Sequence, residues 1–118
     1  MHRVTFTHTK PDGASFYNIR SNPSRSAELE AHSELETTLA AAEADGRIES
    51  MSFNEDGNTL TAVITYRDED AYNSVKDSDA VASYNTALAA YNTANGISVS
   101  VEEHQWNGSS WVAVDETA

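Results

Sequence analysis

Histidines are the side chains of this sequence best suited to acid–base or metal chemistry, and the chain contains four of them. His8 and His104 fall near the ends of the first and fourth predicted strands, where we expect them to lie close together. Glu102 shares a strand face with His104, so a three-ligand metal site can be drawn. Its spacing matches no recognised ligand pattern, and surface histidines near strand ends are the ordinary explanation. The sequence therefore predicts no metal, and leaves His8 and His104 as candidate contacts for a small ligand.

Tyrosines are the other polar side chains that could line a binding site. Tyr66 ends the third predicted strand and Tyr17 lies in the segment after the first, and both are candidate ligand contacts. Tyr84 and Tyr91 are seven residues apart, so they share a face of a predicted helix. Tyrosines at the edge of a core, with a packed ring and a polar tip, explain this pair.

Several kinds of chemistry are excluded by composition and spacing. The chain has no cysteine, which rules out disulfides, thiolate metal sites and cysteine nucleophiles. No serine lies in a nucleophile-elbow pattern, and no glycine-rich loop suits a phosphate. The loop at 54–58 lacks the alternating acids of a calcium loop. The sequence therefore identifies no catalytic set and predicts no cofactor.

The charge balance is strongly acidic. Nineteen Asp and Glu residues against seven Lys and Arg give a formal net charge of -12. Such a chain repels phosphate backbones and anionic lipid, so we expect neither nucleic-acid nor membrane binding. Solubility in a marine or saline microbe explains the charge, and the alternative is an acidic protein-interaction module. The N-terminus reads as a strand and no apolar run approaches a membrane span, so we expect a cytoplasmic protein.

The order of the hydrophobic patterns predicts the fold. Asn22 and Pro23 suit the start of the first helix and Gly46 its end. Ala14 to Ile19 reads as a short extra strand or an extended arm. The predicted strands are His2–Thr9, Arg47–Phe53, Thr59–Tyr66, Ile97–Trp106 and Trp111–Val114, with a broken helical stretch from Asp68 to Gly96. We therefore predict one domain, 1–118, with an α+β ferredoxin-like βαββαβ sandwich, helices on one face of an antiparallel sheet, a short C-terminal strand and a frayed tail at 115–118.

The central strands each have an aliphatic and a hydroxyl-bearing side. Val4, Phe6, Leu60, Ile64, Val99 and Val101 are expected to pack against both helices. The opposite side, which we call the hydroxyl face, carries Thr5, Thr7, Ser52, Thr61, Thr65, Ser98 and Ser100. A solvated sheet face is one interpretation. The other, which we favour, is that two hydroxyl faces meet across a two-fold axis and form a homodimer.

The stretch from Tyr66 to Trp106 resembles one family. A strand leads into Arg67–Tyr72, a short helix breaks at Asp77-Ser78-Asp79, and a second helix carries Tyr84 and Tyr91 before the last strand. This is similar to the dimeric α+β barrel superfamily, which includes the antibiotic-biosynthesis-monooxygenase-like proteins. The resemblance implies dimers formed through the sheets, with members that are cofactor-free oxygenases, haem-degrading enzymes, isomerases or proteins without known activity. Some of its enzymes place a histidine in or near the short helix, and 72–76 contains none, which argues against oxygenase or haem chemistry.

Three functional hypotheses follow. The first is a dimeric-barrel protein that is non-catalytic or binds a small ligand. The second is a cofactor-free monooxygenase- or isomerase-like enzyme acting on a small aromatic or carbonyl compound, with His8, His104, Tyr66 and Tyr17 as candidate site residues. The third is the acidic interaction module. The absence of a recognisable catalytic set favours the first.

Overall fold

The computed structural model of the protein describes residues 1–17 and 33–114. Its elements are β1 (His2–Thr9), α1 (Ser33–Ala44), β2 (Ile48–Asp56), β3 (Thr59–Tyr66), α2 (Glu69–Lys76), α3 (Asp79–Asn95), β4 (Ser98–Trp106) and β5 (Trp111–Ala113). The predicted Asn22 cap, Pro23, Ile19 and the tail at 115–118 lie outside the described residues. No helix in the described ranges is long and apolar enough to cross a membrane.

The strands form one sheet in the order β2-β3-β1-β4-β5, with every neighbouring pair antiparallel. The first four strands have the arrangement of a ferredoxin-like sheet, so the predicted α+β fold is confirmed. β1 and β3 have the predicted bounds. β2 continues three residues beyond the predicted Phe53, because the hairpin turn occupies only 57–58. Gly57 takes the first turn position with φ +60°, which a two-residue hairpin turn of this kind requires of glycine.

The helices begin and end where the local chemistry places them. The carboxylate of Asp68 accepts a hydrogen bond from the Ala71 backbone N–H at 2.8 Å and caps α2, at the residue where the predicted helical stretch begins. Ser78 caps α3 after the predicted break, and Gly96 ends it in the left-handed conformation with φ +70°. Residues 14–17 form no strand, so the part of the predicted extra strand that is described is irregular.

The core lies between the sheet and the helices. Leu35, Leu39 and Ala42 lie at helical spacing on α1 and pack into the main cluster. That cluster is completed by residues of β1, β2, β3 and α2, namely Val4, Ile48, Tyr66, Ala71 and Val75. A smaller cluster joins Phe16, Leu60 and Ile97 and anchors the segment after β1.

The expected packing of Val99 and Val101 against the helices is wrong. Their register opposite His8 and Phe6 does place them on the helix side of the sheet. They are nevertheless 43% and 52% exposed. The reason is that α1 and α2 pack over β2 and β3, whereas β4 lies toward the other edge of the sheet.

Candidate functional site

A cavity of about 310 Å³ lies between the sheet and the helices. Its walls are mostly apolar, with aliphatic side chains from α1, α2 and α3 facing the strands. Five aromatic rings contribute to the lining, from Phe6, Phe53, Tyr66, Tyr72 and Tyr84. Concave, largely apolar space with a few polar groups is the usual form of a small-molecule site.

A second cavity of about 40 Å³ adjoins the first. The two share His8, Phe53 and Tyr84 among their lining residues, and the small one adds Phe16 and Tyr17. His8 therefore stands where the two spaces meet. The small space is large enough for one ordered water or a ring substituent.

His8 supplies the cavity with an acid–base group. It points to the helix side of β1 and is 8% exposed. Burial lowers the pKa of His8 below its ordinary value, so the imidazole is neutral near pH 7. A neutral imidazole offers one N–H donor and one acceptor nitrogen, which suits it to bind a hydroxyl or to accept its proton.

Two tyrosines bring phenol groups to the opposite part of the wall. Burial and, to a smaller extent, the neighbouring Tyr72 raise the pKa of Tyr66 far above its ordinary value. Burial also raises the pKa of Tyr72, assisted by the negative charges of Glu103 and Asp77. Both phenols therefore stay protonated and are available as hydrogen-bond donors. Their ring centroids are 5.1 Å apart, so they form one continuous aromatic surface.

A buried histidine behind this surface is a feature that the sequence analysis missed. His2 is 1% exposed, and its Nε2 lies 2.9 Å from a carboxylate oxygen of Glu103. The amide nitrogen of Gln105 lies 3.3 Å from the other ring nitrogen of His2 and 3.1 Å from a carboxylate oxygen of Glu69. Since an amide nitrogen only donates, the His2 Nε2 carries the hydrogen that Glu103 accepts. The alternation of β1, which places His2 with Val4 and Phe6, was the signal that could have located it inside.

Tyrosines of α3 hold the segment after β1 against the cavity. Tyr84 donates from its hydroxyl to the backbone oxygen of Tyr17 at 3.2 Å, and Tyr91 donates to that of Ser15 at 2.7 Å. The ring of Tyr17 stacks on that of Tyr84 and lies tilted against that of Tyr91. The predicted role of Tyr84 and Tyr91 as packed rings with bonded tips agrees with these contacts.

The four candidate residues are only partly brought together. His8 and Tyr66 line the main cavity, and Tyr17 lines the adjoining one. His104 pairs with Arg3 on the hydroxyl face, whereas His8 pairs with Val99 at the other end of β1 and points to the helix side. The expected proximity of His8 and His104 is therefore wrong, because register separates them both along the strand and across the sheet. No cluster of three potential metal ligands occurs among residues 1–17 and 33–114.

Solved structures share this architecture, although no protein-family model and no curated protein matches the sequence. A candidate antibiotic biosynthesis monooxygenase from Deinococcus radiodurans aligns over 95% of this chain and 98% of its own, with a TM-score of 0.55 and 9% identity. The fold is that of the antibiotic-biosynthesis-monooxygenase-like proteins. This confirms the resemblance at the level of topology.

Two further structures agree. Rv0793 from Mycobacterium tuberculosis aligns over 93% of this chain and all of its own, with a TM-score of 0.53 and 17% identity. A single-residue variant of SnoaB, a cofactor-independent oxygenase from Streptomyces nogalater, aligns over 92% of this chain and 95% of its own, with a TM-score of 0.50 and 13% identity. At these identities the likeness establishes the fold and leaves the activity open.

Proposed function

We propose that the protein binds a small, flat, mostly apolar compound with one or two hydrogen-bonding groups in the cavity between sheet and helices. The observation that carries this proposal is the joint presence of neutral His8 and protonated Tyr66 on a mostly aromatic and aliphatic cavity wall. An apolar cavity of roughly 150 Å³ holds one benzene ring. A space of about 310 Å³ therefore suits a compound of two fused rings.

The proposal includes a homodimer formed through the hydroxyl face. Thr5, Thr7, Thr61 and Thr65 on this face are half-buried in the single chain, and Val63 lies among them. A face of short hydroxyl side chains around an apolar centre suits close contact with an identical face. The resemblance to the dimeric barrels supports the same arrangement.

The ligand proposal is tested by titrating the protein with 2-naphthol and following the bound probe by fluorescence and NMR. Ala62 is 6% exposed and lines both cavities, so an Ala62→Leu variant fills part of the space. We expect saturable binding to the wild type and at least about tenfold weaker binding to Ala62→Leu. Ala89→Leu, on the exposed surface of α3, is the matched control and keeps wild-type affinity. Equal binding to all three proteins contradicts the assigned site.

A second candidate function is cofactor-free chemistry on the same ligand. The neutral His8 at the cavity wall favours it, and SnoaB of the same fold is a cofactor-independent oxygenase. His8 would accept a proton from an acidic carbon or hydroxyl of the ligand. If that proton returns to a different atom of the ligand, the reaction is an isomerisation. Reaction of the anion with dioxygen instead converts a CH₂ group and O₂ into a carbonyl and water, so no further oxidant is required.

The catalytic alternative is tested by oxygen uptake with a hydroxyanthrone, whose conjugate base reacts with O₂. A catalyst consumes oxygen faster than buffer does and loses that activity in His8→Gln, while circular dichroism shows the variant folded. Binding of 2-naphthol without oxygen uptake or isomerisation leaves the protein as a binding protein.

A further inference from the structure

Two buried nitrogen atoms on the hydroxyl face have no hydrogen-bond partner. They are Nε of Arg3 and Nδ1 of His104. The two residues are directly paired in register between β1 and β4, so the atoms belong to one place on the face. A buried polar atom without a partner is costly, and native proteins satisfy nearly all of them. The single chain therefore leaves two covered polar atoms unpaired at this place on the face.

The guanidinium of Arg3 is held in position by a tryptophan ring. Its central carbon lies 4.2 Å from the ring centroid of Trp111, whose ring meets that of Trp106 edge-on at 5.6 Å. Stacking fixes the plane of the guanidinium and leaves its N–H edge for an acceptor in that plane. In the described part of the chain no carboxylate lies within ion-pair distance of Arg3. A carboxylate is the acceptor that a guanidinium edge fits best.

A carboxylate is present on the same face in the form of Glu102. Glu102 is exposed and pairs in register with Thr5, while Arg3 pairs with His104. The four residues therefore form a rectangle on the hydroxyl face. Thr5 and His104 lie at opposite corners of this rectangle, and Arg3 and Glu102 lie at the other two corners. A two-fold axis that runs between two facing sheets, parallel to the line from Thr5 to His104, exchanges the positions of Arg3 and Glu102. That operation places Arg3 of each copy over the partner's Glu102, and it does so twice per dimer.

We propose that two copies of this chain associate with the Arg3 guanidinium of each bound to the partner's Glu102, beside His104 and under the Trp111 ring. The inference rests on the proposed homodimer and goes beyond it, because it names the contact that fixes the relative position of the two sheets. Each copy carries a formal charge of -12, so association requires local opposite-charge contacts that offset the repulsion. The reciprocal Arg3–Glu102 pair supplies two of them.

The test is native mass spectrometry of charge-reversal variants, alone and mixed. Arg3→Glu places two acids in each contact and Glu102→Arg places two bases, so we expect each variant alone to dimerise at least about tenfold more weakly than the wild type. An equimolar mixture restores opposite charges in both contacts of the heterodimer. We therefore expect the heterodimer to exceed both homodimers and to approach wild-type affinity. Rescue in the mixture cannot come from pairing within one chain.

The matched controls are Arg67→Glu, which reverses an exposed arginine after β3, and Glu55→Arg, which reverses an exposed acid pointing to the helix side. We expect both to dimerise like the wild type and their mixture to give a statistical distribution. Thermal unfolding verifies that each variant is folded. If a charge-reversal variant is not folded, Arg3→Gln and Glu102→Gln are used in place of the two reversals. If the wild type is a dimer but the charge reversals do not weaken dimerisation, or mixing the variants does not restore it, the Arg3–Glu102 contact is wrong. The homodimer itself is then retained. A monomeric wild type overturns both.

Discussion

The imidazole of His2 lies against the phenol ring of Tyr72, with ring centroids 4.8 Å apart and planes inclined by 20°. Glu103 and Gln105 fix the imidazole from behind, through the two ring nitrogens. The Lys76 ammonium is a further neighbour of the Tyr72 ring, 5.1 Å from the ring centroid. Tyr72 is therefore held by polar neighbours while its ring forms part of the cavity wall. A buried, hydrogen-bonded histidine therefore supports the aromatic surface of the cavity.

Replacement of His2 by alanine should destabilise the protein by about 3 kcal/mol. The variant loses a buried ring that stacks on Tyr72, and it leaves the Glu103 carboxylate without its partner. Urea unfolding followed by circular dichroism measures the change. Arg67→Ala serves as the control, because Arg67 and its ion-pair partner Asp68 are both more than half exposed and such pairs contribute little. Equal stability of the two variants would contradict the structural role of His2.

Stability should decrease as the pH falls through the range in which His8 titrates. The pKa of His8 is lowered from its ordinary value of 6.5, so the unfolded chain binds the proton more tightly than the folded one. The contribution of His8 is therefore constant above pH 6.5 and decreases as the pH falls from 6.5 to the lower folded-state pKa. Urea unfolding at several pH values gives the slope of the unfolding free energy against pH. In this window, that slope should be smaller for His8→Gln than for the wild type.

The carboxylates of Asp45 and Asp68 act in a separate window. Hydrogen bonds from Arg47 lower the pKa of Asp45, and the backbone N–H of Ala71 lowers that of Asp68, both from an ordinary value of 3.8. Their stabilisation is present above pH 3.8 and is lost below it as the folded-state carboxylates protonate. A pH dependence of the unfolding free energy just below pH 6.5 that persists unchanged in His8→Gln would show that His8 is not its source.

Removal of the Asp68 cap should lower the stability of the protein. The Asp68 carboxylate satisfies a backbone N–H of the first turn of α2, and alanine offers no acceptor. Asp68→Asn keeps an acceptor oxygen and should recover most of the loss. Asp70→Ala, in the same turn but without a capping contact, is the control. Thermal unfolding of the three variants should rank Asp68→Ala as the least stable by several degrees.

The contact between Tyr91 and Ser15 should govern opening of the segment at 14–17. Tyr91→Phe keeps the ring but removes the hydroxyl that donates to the Ser15 backbone oxygen, a loss of about 1 kcal/mol. Hydrogen exchange should show faster opening of this segment than in the wild type, with unchanged exchange in β3. Faster exchange throughout the sheet would instead indicate global destabilisation.

Local patterns in the sequence were sufficient for the architecture. Alternation located β1 and β3, and Asp68, Ser78 and Gly96 marked helix ends whose chemistry depends on neighbouring residues only. The end of β2 was misplaced because a two-residue turn at Gly57 leaves more residues for the strand than a five-residue loop does. Such differences depend on pairing with another strand, which is not written in the local sequence.

The candidate site was less accessible to sequence reasoning. His8 and Tyr66 were identified and line the cavity, but His104 was grouped with His8 without knowledge of the register that separates them. The alternation of β1 places His2 on the core side, but its hydrogen-bond partners Glu103 and Gln105 lie about a hundred residues away along the chain. The exposure of Val99 likewise follows from where the helices lie on the sheet. Contacts that join distant segments thus account for what the sequence did not reveal.

The most direct test of the central claim is an NMR measurement of intermolecular NOEs between 2-naphthol and isotope-labelled protein. Binding in the cavity predicts NOEs from the probe to the methyl groups of Ala62, Leu39 and Val75, all of which face this space. It also predicts none to Val112, which is 48% exposed on β5. NOEs only to Val112 and other exposed groups, or no saturable binding, would contradict the account.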